Sequence, residues 1–109
     1  MKEKNLQEIQ FLEQGLQNLL FQKQAFQMEL SETKEALSEL ESSDDQVFKI
    51  IGQIMLKTEK SKIKEEISSK IKIFELRINE IEKQESSLAE RIEKIRDDGL
   101  KNSKDQWNI

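Results

Sequence analysis

The side chains able to do chemistry in this chain are carboxylates, amines, hydroxyls and amides, because its 109 residues include no histidine and no cysteine. That removes the imidazole base, the thiolate nucleophile, the disulfide and the Cys- or His-ligated metal centre. Acidic residues number 22 and basic residues 18, giving a net charge of -4. The carboxylates fall on solvated helix flanks and do not converge, so the pattern points to no enzyme, no metal and no cofactor. The basic residues are interleaved with acids, and the aromatics are five Phe and one Trp. A nucleic-acid surface needs a concentrated basic face, which this spacing does not supply. No apolar run approaches the ~20 residues of a membrane span, and Met1-Lys2-Glu3-Lys4-Asn5 lacks a signal-peptide apolar region. The expectation is a soluble, cytoplasmic protein that works by binding other proteins.

The residues whose types and spacing suit that work lie mid-chain. Val47, Phe48, Ile50 and Ile51 precede Gly52, and Ile54, Met55 and Leu56 follow it. Two β-branched runs around Gly-Gln suit a β-hairpin over 46–58 with a type II′ turn, in which the first loop residue has positive φ. Both strands are apolar on both faces, and an isolated two-stranded hairpin is marginal in water. The expectation is that this hairpin completes a sheet with other subunits.

The elements that must carry the hairpin are helices. Charged residues make up 37% of the chain and hydrophobic ones 35%, with no proline and three glycines. Such a chain is too polar for a spherical core and nearly free of turn formers. Helix 1 is expected over about 6–41, with a heptad seam of Ile9, Leu12, Leu16, Leu19, Lys23, Phe26, Leu30, Thr33, Leu37 and Leu40. Helix 2 is expected over about 62–97, with Ile67, Ile71, Phe74, Ile78, Ile81, Glu85, Leu88, Ile92 and Ile95 in its seam, before a polar tail over 98–109. Stripes this narrow need a partner. Reversing the chain at Gly52 pairs residues whose numbers sum to 104, so that Ile9 meets Ile95, Leu12 meets Ile92 and Leu16 meets Leu88. Every a position then faces a d position, as an antiparallel pair requires. The polar seam residues Lys23 and Glu85 either bridge across the seam or snorkel separately to water.

The stretch Val47-Phe48-Lys49-Ile50-Ile51-Gly52-Gln53-Ile54-Met55-Leu56-Lys57-Thr58, set between two equal helices, resembles the β-type subunits of prefoldin. The most specific part is V-F-K-x-x-G-x-x-x-x-K, at Val47, Phe48, Lys49, Gly52 and Lys57. Gln22-Lys23-Gln24 and the run Lys34–Leu40 also resemble the family's first helix, and the likeness covers about residues 9–97. Family α-type subunits carry two β-hairpins, and this chain has room for one. The resemblance implies a mainly α fold: a long antiparallel coiled-coil hairpin whose β-hairpin joins an intersubunit β-barrel. It further implies an α2β4 hexamer of two α-type and four β-type copies. That hexamer would hold unfolded client proteins at its coiled-coil tips without ATP and pass them to a group II chaperonin.

If the hairpin end assembles, clients meet the end holding both termini. The candidate contacts are Leu6, Ile9, Phe11, Leu12, Leu100, Trp107 and Ile109, of which Ile9 and Leu12 also have seam roles. Off the seams, Leu20, Phe21, Met28, Ile73 and Leu76 either are ordinary surface residues or line a cavity between neighbouring coils. The competing reading is a structural or adaptor coiled coil without chaperone activity.

Overall fold

The computed structural model describes residues 2–107, with backbone only from 101 onward. The elements run α1 (Glu3–Glu41), β1 (Gln46–Ile51), β2 (Ile54–Glu59) and α2 (Lys60–Trp107). The fold is mainly α, with two long helices and one antiparallel β-hairpin between them. The chain divides into two compact units: residues up to Gln24 with those from Asn79 onward, and Ala25–Ile78.

In the first unit the two helical segments close on an apolar seam. Ile9, Leu12 and Ile92 are buried, with Leu16, Leu88 and Ile95 packed against them, the six side chains that the expected register gathers at this end. Leu88 comes so close to Gly15 that an added Cβ would lie 3.3 Å from its Cδ1. The seam also holds Lys23, whose ammonium donates to Glu85 at 2.8 Å. Of the two readings left open for this pair, the bridge is the one realised. Its Lys23 pKa is raised, first by the Glu85 hydrogen bond and then by the charges of Glu85 and Glu82, against the opposing effect of desolvation. A second bridge, Arg96 to Glu13 at 2.6 Å, flanks the seam.

In the second unit, Leu40 and Ile78 are buried and the Phe26 and Phe74 rings stack at a tilt, 6.2 Å between centroids. Thr33 occupies a seam position because its hydroxyl is satisfied locally, donating to the Glu29 carbonyl at 2.6 Å. The α1–β1 junction is tied down by side chains. Ser42 Oγ donates to the Glu39 carbonyl and Ser43 Oγ to that of Leu40. α1 has no basic residue in its last turn. The missing cation comes from α2: Lys60 Nζ donates to the Glu41 and Ser43 carbonyls at 2.9 and 3.0 Å. A cation on orphan carbonyls at a helix C-terminus complements the helix dipole.

The boundaries differ from expectation in one respect that matters. α2 follows β2 without a loop and continues to Trp107 instead of ending near Asp97. Gly99, which reads as a breaker, lies on the next seam position after Ile95 and is buried. Glycine costs a helix interior about 1 kcal/mol relative to alanine. Seam packing and the absence of proline offset that cost, and good helix formers such as Leu100 and Lys101 carry the helix on.

Candidate functional site

The hairpin is built in the second unit. β1 and β2 pair in the register Gln46↔Glu59, Val47↔Thr58, Phe48↔Lys57, Lys49↔Leu56, Ile50↔Met55 and Ile51↔Ile54. Gly52 has φ +60° and no other described residue has positive φ, so Gln53 is not left-handed, as type II′ requires and type I′ forbids. A Cβ at Gly52 would meet no atom; the glycine is there for the backbone angle alone.

Alternation along the strands gives the hairpin two unlike faces. Val47, Lys49 and Ile51, with Thr58, Leu56 and Ile54, share one face; its base is half-buried at Val47, Lys49 and Thr58. Phe48, Ile50 and Met55, with Gln46, Lys57 and Glu59, share the other, which is exposed throughout. Ile50 is 68% exposed, Met55 63% and Phe48 62%. Ile51, Ile54 and Leu56 remain exposed toward the turn. All eight hairpin residues expected from sequence therefore fall on β1, β2 or the turn, and six of the seven apolar ones lie uncovered by their own chain.

The two lysines of the strand motif behave differently. Lys57 lies opposite Phe48 and makes no ion pair among the described residues. Lys49 reaches from β1 to α2, where its Nζ donates to Glu66 Oε2 at 2.8 Å. Sequence reasoning missed the tethering side chains Glu66 and Lys60 and the seam positions Asn5 and Gly99. For Asn5 and Gly99 a signal existed, since they continue both seams by one step and their numbers also sum to 104. For Lys60 and Glu66 none did, because the reach of a lysine across elements leaves no periodicity.

The Lys49 hydrogen bond is the first cause of a Glu66 pKa below the usual 4.5, with Lys49, Lys62 and Lys70 adding their charge and desolvation opposing. A depressed carboxylate pKa means a contribution fully present above the unfolded-state value and lost as pH falls through the folded-state value. The clamp is therefore expected to hold at neutral pH and to open only in acid, as pH falls through the lowered Glu66 value. Carboxyl-detected NMR titration checks this: Lys49→Met should raise the Glu66 midpoint. An unmoved midpoint would show that Lys49 is not the cause.

The client candidates divide. Leu6, Phe11 and Leu100 are exposed, Phe11 most of all at 74%. Ile9 and Leu12 are among the most buried of the described side chains, so they hold the seam rather than face outward. The Trp107 side chain and Ile109 lie outside the described residues. Leu20, Phe21, Met28, Ile73 and Leu76 are exposed, each within its own unit. No three metal-ligating side chains cluster, and no helix is long and apolar enough to cross a membrane, among the described residues.

A helix pair carrying an uncovered two-stranded sheet is the architecture of a coiled-coil assembly subunit. Residues 3–105 match the family model described as "Prefoldin subunit". Prefoldin subunit beta of Thermococcus kodakarensis is 39% identical over 92 residues, covering 83% of this chain and 79% of the relative. That of Archaeoglobus fulgidus is 35% identical over 86 residues, covering 77% and 74%. The crystal structure of the prefoldin beta subunit from Thermococcus strain KS-1 superposes with a TM-score of 0.83 at 37% identity, covering 88% of this chain and 86% of that one.

The chain belongs to the prefoldin subunit family, a family of chaperones and not of enzymes. It is a chaperone subunit of the prefoldin β type, of the kind that assembles with other prefoldin subunits.

Proposed function

We propose that this chain is a β-type subunit of a cytoplasmic α2β4 hexamer that holds unfolded proteins without ATP and passes them to a group II chaperonin. The observation that carries the assembly part is the open hairpin face of Phe48, Ile50 and Met55. Contiguous exposed apolar surface of this kind marks an interaction site, and a third and fourth strand are what a two-stranded sheet lacks. Client contact falls to Leu6, Phe11 and Leu100, which are large, apolar and free of seam duty. Trp107 and Ile109 join them on sequence grounds alone.

Co-expression with an α-type subunit, followed by native mass measurement and an aggregation-suppression assay on a denatured client, tests the proposal. The expected result is one defined hetero-hexamer that suppresses aggregation at stoichiometric amounts. Leu6→Ser/Phe11→Ser/Leu100→Ser is expected to leave the hexamer intact and weaken suppression several-fold. A wild-type chain that stays a lone rod without holding activity would return the structural or adaptor reading. A triple variant as active as wild type would remove the assignment of these three side chains.

A further inference from the structure

A lysine in the middle of an apolar strand calls for an explanation. Lys49 stands between Phe48 and Ile50 and is the only charged residue of β1. Lysine is depleted in strands, where β-branched and aromatic residues pack better. Stability does not account for it: Lys49 and Glu66 are each about 40% exposed in their bridge, and ion pairs so open to water contribute little. Blunting a free sheet edge, the usual task of an edge lysine, needs the charge held out to solvent. Lys57 fits that description. Lys49 does not, because its ammonium is turned back onto α2 at 2.8 Å.

What the bridge does is geometric. At its base the hairpin is joined to the helices by the Lys60 amide donating to the Asp45 carbonyl at 2.9 Å, and by Lys60 Nζ on the carbonyl of Glu41, which ends α1, and on that of Ser43 just beyond it. All of these contacts lie at one end of the strands and form a pivot. Beyond it extends about 20 Å of β1 at ~3.3 Å per residue, so a rotation of about 10° displaces the turn by roughly 3.5 Å. That displacement is comparable to the spacing between strands, ~4.7 Å, and would misalign edge pairing. Lys49–Glu66 is a second attachment point, out along β1 from the pivot.

We propose that Lys49 is a positioning residue for assembly: through Glu66 it fixes the angle at which the open hairpin leaves α2, so that the strands meet a partner sheet already aligned. This rests on the assembly reading above. The gain is in the cost of ordering at the moment of association, not in folded-state stability.

The absence of cysteine makes the test direct. Spin labels at Gln53→Cys and Lys72→Cys report the hairpin angle as a distance distribution within the chain alone. Stopped-flow mixing with an α-type subunit reports the association rate. Lys49→Met and Glu66→Gln are each expected to at least double the width of the distribution and slow association about ten-fold, with helical content unchanged. Lys49→Arg, which keeps the bridge, is expected to restore both. Unchanged widths, or a wild-type association rate in Lys49→Met, overturn the proposal. Broad distributions in Lys49→Arg overturn it too. A wild-type chain that forms no complex overturns the assembly reading and the role built on it, and the widths still report separately whether the bridge sets the angle.

Discussion

Ile50→Glu/Met55→Lys is expected to abolish assembly while leaving the helices folded. The two residues are directly opposed across the hairpin and both exposed. Each apolar side chain of this size contributes about 1.5–3 kcal/mol when buried. Losing two from an interface removes roughly 3–6 kcal/mol, more than a hundred-fold in affinity. The opposite charges are chosen so that the cross-strand pair remains attractive and the hairpin itself is retained. Native mass measurement against an α-type partner reads the outcome, with circular dichroism as the control for folding. Phe11→Ser, in the first unit, should leave the complex unchanged. If the double variant still assembles at wild-type affinity, the open face is not the joining surface.

Leu12→Ala or Ile92→Ala is expected to cost about 2–4 kcal/mol of stability. Against a total of roughly 5–15 kcal/mol for a folded domain, that is a large share. Leu12 and Ile92 are only 4% and 5% exposed and belong to one cluster with Ile9. Residues that share a cavity do not lose stability additively. The double variant should therefore fall short of the sum of the singles in urea unfolding followed by circular dichroism. Additive losses would mean that the two side chains are not in the same layer, and that the seam register is wrong. Phe11→Ala, at a neighbouring but exposed position, should change stability by less than about 0.5 kcal/mol.

The seam was legible because packing imposes a period. Every seam position read for α1, from Ile9 to Leu40, is withdrawn from full exposure, and beyond them only Asn5 and Gly15 on that helix are. The hairpin was legible for a related reason, since Gly52 and the β-branched runs are local backbone chemistry. What escaped were contacts made by long, flexible side chains between elements: Lys60 on the end of α1, and Glu66 on Lys49. The end of α2 escaped for a different reason. Asp98 and Gly99 look like the start of a tail by composition, and only the heptad position of Gly99 reveals that the helix continues. Client candidates were read from apolar character near the chain ends, with the heptad giving Ile9 and Leu12 a seam role and Phe11 none. Burial separates them at once.

The sheet described here has only two strands, each paired on one side. In the language of polymer chemistry such a unit is bifunctional, with one reactive edge on β1 and another on β2. A bifunctional monomer has two fates: it closes into a ring of fixed size, or it grows without limit. Which fate wins is set by the angle between successive units. A hairpin held at one angle selects ring closure, and one free to rock permits open growth, with the aggregation that unpaired edges invite. The valence of this small sheet thus makes stoichiometry a matter of geometry.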